Sequence, residues 1–551
     1  MNAEIAPYHW DDRKKLHQDY VYLIDLYEEL LEELTKKLNE LHAVQHSVRY
    51  WRIIVGPWLG YFVQIVFDRW FMVKEVIKKN QITSVNCIQT SNKSFIPNDM
   101  EAFEKMMVED YWNEYIYSKL LEFFKVPIKK VQKIMRKPLN QNVEKKILVF
   151  SKSKRLLAFF INRLSMSLCR KDEHFLIKTF MQPWQEILLQ LKLGQTPKKW
   201  SFKQTALAEV NSSLRKWALN KSLNKNNFSE IIRLMIPQHI PICYLEGYKN
   251  NVALTKSLSW PKQPKSIFTS NSHVSNDIFK IWAAEKVENG APYFIGQHGG
   301  SFGVAKWIFF EEHEIKTSDA YLTFGWQRSD KSKIFAVGNI KETDKPIKRK
   351  RPKIALMAAM SMPRYSYWLY SVPVAAGQWQ SYFSDLISFV KNCSKNVKDY
   401  LLVRLYSQDY GNNQKERWAA ACPEIRLDSG KQPMRNLLKK TRIYISTYNA
   451  TTYLESLYHN IPTLIFWNPN HWEIRDEAMP YFELLEKVGI FHKSPSSAAN
   501  HLNRIWEHLE EWWQRHEVQE ARAKFCNRFS RNNGALVESI ANVLQKIEKK
   551  Y

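Results

Sequence analysis

The chain has 551 residues, 45% of them hydrophobic, which is enough for more than one buried core, and it carries a formal net charge of +26. Six scattered cysteines (Cys87, Cys169, Cys243, Cys393, Cys422 and Cys526), none in a CxxC pair, exclude a disulfide-framed domain and a zinc knuckle. The basic excess favours phosphate-rich partners, or is simply a solvated basic face. With no zinc-finger, RRM or helix-turn-helix signature, an anionic membrane surface ranks ahead of nucleic acid.

The N-terminus, MNAEIAPYHWDDRKK, is polar and reads as free of a signal peptide, so a cytoplasmic location is expected. Residues 10–80 read as helical, and Asp19 to His42 places apolar residues at helical spacing. The apolar run Ile53 to Phe67 contains Gly56, Pro57 and Gln64 and falls short of the ~20 residues a spanning helix needs. A buried helix or an interfacial segment is expected there. A second helical block covers Met100 to Met135. The densest basic runs are Lys125 to Lys154 and Arg215 to Lys225.

From Lys146 onward, strands alternate with helices. The spacing predicts strands at Ile147–Ser151, Pro241–Glu246, Ser266–Ser270, Tyr293–Gly296, Ala320–Phe324 and Ile334–Val337. Helices are predicted at Ser153–Ser165, Glu173–Leu193, Ser201–Leu219 and Ser275–Glu288. Lys341 to Lys353, charged and proline-containing, reads as a linker. Beyond it the alternation restarts, with strands at Ile354–Met357, Tyr400–Leu405, Glu424–Leu427, Arg442–Ser446, Thr463–Trp467 and Val488–His492. Helices are expected at Gln378–Asn392, Gln432–Lys440 and Thr451–His459, and the tail from Ser497 is helical. Such repetition makes parallel sheets covered on both faces. The expected division is an N-terminal acceptor-side domain, 1–345 (helical 1–140, α/β 141–345), a C-terminal nucleotide-binding α/β domain, 346–520, and a C-terminal helix, 521–551.

Two stretches carry chemistry. In the first half, GQHGGSFG sets His298 among Gln297, Gly299 and Gly300, directly after a strand. Glycines let the chain turn tightly and let a ligand approach an imidazole that can move a proton near neutral pH. In the second half, STYNATT, with Ser446, Thr447, Asn449, Thr451 and Thr452, joins a strand to a helix and aims free amides above the sheet, an anion site. Glu455 falls on the first turn of that helix, where a carboxylate can take a ribose diol. Ordinary helix capping accounts for the same hydroxyls equally well. There is no Walker lysine, no GxGxxG and no HExxH, so P-loop, classical NAD and zincin sites are not indicated.

These features together resemble GT-B glycosyltransferases, and more closely a transferase family of bacterial O-antigen and surface-polysaccharide gene clusters. The likeness rests on YHWDDR, YWRI with GPW and DRW near the N-terminus, on GQHGGSFG with EEHE and SDAYLTFGW, and on STYNATTYLESLYHNIPTLIFWNP with EIRDEAMPYFELLEKVGIFH. GQHGG and STYNATT are also distantly similar to the His loop and phosphate-binding turn of teichoic-acid polyol-phosphate transferases. The resemblance implies two Rossmann-like parallel-sheet domains facing a cleft, with an added N-terminal helical region. It also implies a nucleotide-activated sugar, of CMP-nonulosonate or UDP type, and a glycan or lipid-linked acceptor. His298 would be the catalytic base or phosphate stabiliser, Glu312 would orient it, and Arg404 with the turn would compensate the leaving phosphate. No DxD motif is present, so no metal and no cofactor is expected. A CDP-polyol-dependent transferase and a non-catalytic nucleotide-binding protein are the alternatives.

Overall fold

The computed structural model describes residues 5–88, 92–131, 170–219, 228–330, 332–342, 347–349, 352–366, 369–532 and 534–549. The expected strand Ile147–Ser151, the helix Ser153–Ser165 and most of the Lys125–Lys154 basic run lie outside these residues.

Two long helices open the chain, α1 (Arg13–His42) and α2 (Val48–Lys79). Asp12 caps α1 by accepting from the Lys14 and Lys15 amides, and Ala43 ends it in the left-handed region at φ 55°. Ser47 caps α2. The whole run Ile53 to Phe67 is buried on every side, against α1 and the helices Asp277–Glu288 and Phe309–Thr317. It is a core helix, not an interfacial one. Gly56 and Gly60 make this possible: a Cβ on Gly60 would stand 2.1 Å from the Phe309 ring, and one on Gly56 would stand 2.7 Å from His313 Cε1. Among the described residues no helix is long and apolar enough to cross a membrane.

Strands β1 (Val85–Ile88) and β2 (Ile128–Val131) form a small parallel pair. The first large sheet holds β3 (His174–Leu176), β4 (Ser266–Thr269), β5 (Tyr293–Gly296), β6 (Ala320–Thr323) and β7 (Ile334–Ala336), all parallel and side by side in chain order. The second holds β8 (Ile354–Ala358), β9 (Leu401–Arg404), β10 (Arg426–Asp428), β11 (Thr441–Ser446), β12 (Thr463–Phe466) and β13 (Phe491–His492) in the order β10-β9-β8-β11-β12-β13. The winding reverses between β8 and β11, the point where open α/β sheets of this kind form a crevice at the carboxyl ends of their strands. The central strands β4, β5, β6 and β12 are wholly buried, as parallel strands under helices must be. Two Rossmann-like units with an N-terminal helical region give a GT-B-like α/β fold.

Four local expectations fail for tertiary reasons. The block Met100–Met135 is helical only as far as Phe123, because Ile128–Val131 pairs with Val85–Ile88 as a strand. Pro241–Glu246 is not a strand. It forms a 3₁₀ turn at Ile242–Tyr244, because the Ile242 and Cys243 amides bond the carbonyls of Pro97 and Asn98. Glu173–Leu193 is not one helix: His174–Leu176 pairs with β4, and the helix begins at Pro183. Ser201–Leu219 is not helical. Side chains from elsewhere take its amides, Asn251 Oδ1 that of Ala206 and Glu246 Oε1 that of Asn211. In the same stretch Arg215 is buried, and Glu246 accepts from its Nε and NH2 at 2.6 Å each, so this basic residue presents no charge outward.

Several contacts join the two units. Arg13 donates to both carboxylate oxygens of Glu473 at 2.6 and 2.9 Å and to the Val372 carbonyl at 3.2 Å. Ala305 pairs with Ile474 in an antiparallel bridge. The C-terminal helix Leu536–Glu548 packs back on Pro183–Lys192.

Candidate functional site

Neighbouring strands β4 and β5 each release a histidine at the carboxyl end, His273 on Ser272–Ser275 and His298 in the glycine loop. Their ring centroids lie 6.0 Å apart. Between them comes Glu314 from the helix Phe309–Thr317. Its Oε1 is 2.9 Å from His273 Nε2 and 3.5 Å from His298 Nδ1. Glu314 and His273 are enclosed, whereas the His298 side chain remains 22% exposed. His298 Nδ1 is the enclosed nitrogen of that ring, so its open edge carries Nε2.

Burial governs the protonation of all three groups. It pushes the His298 imidazole down to about 4, against the opposing pull of Glu314, and His273 down to about 3. It pushes the Glu314 carboxyl up to about 8, while His298 draws it down. A neutral His298 is the form that can accept a proton. The donor atoms of His273, His298 and Glu314 lie within 4.8 Å of one another, a set that is also able to surround one metal ion.

Glu312, expected to orient His298, does not face it. Its carboxylate pairs with Arg328 on the other side of the helix. The facing carboxylate is Glu314. Two helical residues differ by about 200° around the axis, so only one of the two can look at the glycine loop. Helical periodicity in EEHE was the available signal. His273 had a weaker one, its place just after a strand that pairs with the strand before His298.

The glycine loop is held from beneath by Gln297, which is fully buried. Its Oε1 accepts from the Phe324 amide and Trp326 Nε1, both at 2.9 Å, and its Nε2 donates to the Gly299 carbonyl at 2.8 Å. Gln297 therefore shapes the loop from the inside. A Cβ on Gly299 would press on the Phe302 ring at 3.1 Å. A Cβ on Gly300 would stand 2.3 Å from the Ala450 carbonyl oxygen and 2.8 Å from Thr451 Cα. The His298 loop of one unit thus abuts the start of the helix Thr451–Tyr458 in the other, and the two stretches singled out in sequence meet. Two surface cavities, of about 840 and 670 Å³, are lined by other residues and neither includes His298.

The members of the hydroxyl turn divide. Ser446 Oγ donates to the Tyr448 carbonyl at 3.1 Å. Thr447 is buried, donates to the Ala358 carbonyl at 2.7 Å and shares a 2.5 Å hydrogen bond with Tyr382, which ties β11 to β8. Asn449 Oδ1 accepts from Tyr453 at 3.1 Å, and its buried amide Nδ2 has no partner among the described residues. Thr451 and Thr452 are half-buried at the first helical turn, which has no side-chain cap. Arg404 is committed within its own unit: it donates to Asp428 at 2.9 Å and to the carbonyls of Gly430 and Gln432 at 2.7 and 2.6 Å.

Glu455 is pushed up to about 7 by burial and by Glu342, against Lys341 and Arg435. Lys341 Nζ donates to the His298 carbonyl at 3.3 Å. This lysine follows β7 and is the cation common to the glycine loop and Glu455; it carried no motif in the sequence.

No curated protein matches this sequence at significance. Among solved structures, the chain is similar to the wall teichoic acid polymerase TagF, at 11% identity over 72% of this chain and 96% of that one, with a TM-score of 0.35. It is similar to Anabaena Alr3699/HepE in complex with UDP-glucose, at 12% identity over 58% and 88%, TM-score 0.34. It is also similar to Acinetobacter baumannii MurG, at 15% identity over 57% and 87%, TM-score 0.31. A family model described as LIC12162 family transferase matches residues 1–544, nearly the whole chain, with both the glycine loop and the hydroxyl turn inside the match. The chain belongs to the LIC12162 family of transferases.

Proposed function

We propose that this transferase is a metal-independent glycosyltransferase (EC 2.4 class). It moves a sugar from a nucleotide-activated donor, of CMP-nonulosonate or UDP type, to a hydroxyl of a surface-glycan or lipid-linked acceptor on the cytoplasmic side of the membrane. The observation that carries this reading is a neutral, partly open His298 with buried Glu314 behind it, set against the first turn of Thr451–Tyr458. The acceptor oxygen forms a bond to the anomeric carbon while the bond from that carbon to the donor phosphate breaks. The acceptor proton passes to the open edge of His298, and Glu314, behind Nδ1, positions the ring. The departing phosphate takes hydrogen bonds from the free amides at Thr451 and Thr452, from Asn449 Nδ2 and from the Lys341 ammonium. Glu455 accepts from the ribose hydroxyls. Here Glu314 is a positioning residue, and Arg404 supports the loop after β10.

A thermal-shift panel of CMP, CDP, UDP and GDP identifies the donor class, and turnover with the corresponding sugar nucleotide follows. His298→Ala is expected to cut that turnover roughly 10²–10⁴-fold at an unchanged melting temperature. EDTA is expected to leave turnover unchanged. Loss of turnover in EDTA with recovery on added zinc would assign the His273, His298 and Glu314 set to a metal instead. A preference for CDP-polyols over sugar nucleotides would point to polyol-phosphate transfer at the same histidine.

A further inference from the structure

The helix Pro183–Lys192 turns its apolar stripe outward. Trp184, Ile187, Leu188 and Leu191, at the spacing of one helical face, are 45–54% exposed, while Gln185, Leu189 and Gln190 on the other face are buried. Just before it, Phe180 is 37% exposed and held at φ +63°, a region that bulky residues avoid. Backbone strain of this kind clusters at functional sites. Phe202, also exposed, extends the patch.

The charge left around this face is basic. From Lys178 to Lys203 the sequence holds five lysines and one acid, Glu186, whose carboxylate is taken by the Thr179 hydroxyl. Lys198 is buried against Glu173 and Lys192 pairs with Glu538, so the charge of this face comes from Lys178, Lys199 and Lys203. Lys178 Nζ lies 4.8 Å from the Phe202 ring centre and Lys341 Nζ lies 5.3 Å from that of Phe180. Lys341 is the residue that donates to the His298 carbonyl, and Gln182 Nε2 donates to the Lys341 carbonyl at 2.9 Å. The patch therefore ends one side chain from the glycine loop.

We propose that this face seats on an anionic lipid bilayer, with Phe180 and Trp184 at the boundary of headgroups and acyl chains and the flanking lysines on lipid phosphates. Aromatic and aliphatic side chains ringed by lysines are complementary to an anionic interface in both apolar character and charge. A lipid-linked acceptor then reaches His298 without leaving the membrane surface. This deepens the membrane-side part of the proposed function by naming the docking surface, and it stands or falls separately from the donor chemistry.

The test is co-sedimentation of the full chain with phosphatidylcholine vesicles, with and without phosphatidylglycerol. The wild type is expected to bind the anionic vesicles and to release as salt rises. The double variant Leu188→Glu/Leu191→Glu is expected to bind roughly tenfold or more weakly at an unchanged melting temperature, because charged side chains are excluded from the apolar boundary. Lys178→Gln/Lys203→Gln, a milder change, is expected to flatten the salt dependence. Wild-type binding by both variants would overturn this surface assignment and leave the membrane-side reading in place. No binding of the wild type to either vesicle would overturn both, while nucleotide binding would still report on the donor site. A dimer that the Leu188→Glu/Leu191→Glu variant turns into a monomer on size exclusion would make the face a self-association surface and also overturn the proposal.

Discussion

Glu312 and Glu314 stand two positions apart on one helix, and their chemistry is set by what each faces. Glu312 meets the Arg328 guanidinium at the surface, whereas Glu314 meets two imidazoles in the interior. Their pH behaviour should differ accordingly. Burial raises the Glu314 carboxyl from 4.5 to about 8, so between those values the folded state holds a proton that the unfolded chain has lost. Its contribution is therefore present below about 4.5 and is lost as pH rises through 8. His298 runs the other way. Depressed from 6.5 to about 4, it binds its proton more weakly folded than unfolded, and its contribution is lost as pH falls from 6.5 toward 4. Glu314→Gln, which keeps the shape and removes the titration, should melt relatively higher against the wild type as pH is raised from 5 to 8. A constant gap between the two melting curves across that range would mean that Glu314 is already ionised and paired. Glu455 is elevated to about 7 by burial and by Glu342. Glu455→Ala should weaken binding of the preferred nucleotide by ~1–3 kcal/mol, the cost of leaving donors without their acceptor, as read by calorimetry. Unchanged affinity would remove Glu455 from the nucleotide site.

At the scale of elements, α2 is the wall on which the site helix rests. Gly56 and Gly60, one turn apart, let Phe309–Thr317 approach closely enough for Phe309 to lie over bare backbone. That close approach fixes the helix carrying Glu314, so a side chain placed there acts at a distance. Gly60→Val would drive methyl groups into the Phe309 ring. The expected cost is ~1–3 kcal/mol of stability, together with a loss of turnover larger than that destabilisation predicts. Denaturant melts paired with turnover of the still-folded fraction separate the two effects. The apolar spacing of Asp19–His42 made α1 legible in advance, but the run Ile53–Phe67 in α2 has no polar face to show what covers it. For Ser201–Leu219 the apolar spacing pointed to a helix, and distant acceptors such as Asn251 and Glu246 overrode it.

For the whole molecule, the decisive contact is the meeting of the two units at Gly300. The Arg13–Glu473 clasp and the Ala305–Ile474 bridge hold the units in this relation, and Gly300 against Ala450 sets how near His298 comes to the hydroxyl turn. Gly300→Val should keep both units folded, since no element core contains it. It should prevent the close approach and lower kcat/KM by roughly tenfold or more, because an ångström of misplacement at the reacting centre is costly. Small-angle scattering with and without nucleotide checks this: the variant should stay wider than the wild type in both states. A wild-type kcat/KM in this variant would show that the approach at Gly300 is not needed for turnover.

Taken by itself, the sequence determined the properties that depend on near neighbours. Strand and helix alternation and the turn chemistry of GQHGG and STYNATT follow from periodicity and from residues a few positions apart, and so were readable along the chain. His298, Gln297, Gly299 and Gly300 were singled out for the same reason, since glycines around a histidine after a strand are a local signal. What lies behind His298, and which members of STYNATT keep free donors, depended on contacts across the fold. Glu314 and His273 reach His298 only because β4, β5 and the helix Phe309–Thr317 lie side by side, and Lys341 joins them from the far end of β7. Thr447 and Arg404 look like ligand residues in one dimension, but they bond partners on neighbouring strands and loops. Burial did the rest. It is a sum over distant segments, so the neutral state of His298, the elevated carboxyl of Glu314 and the outward apolar face of Pro183–Lys192 emerge only once the chain is folded.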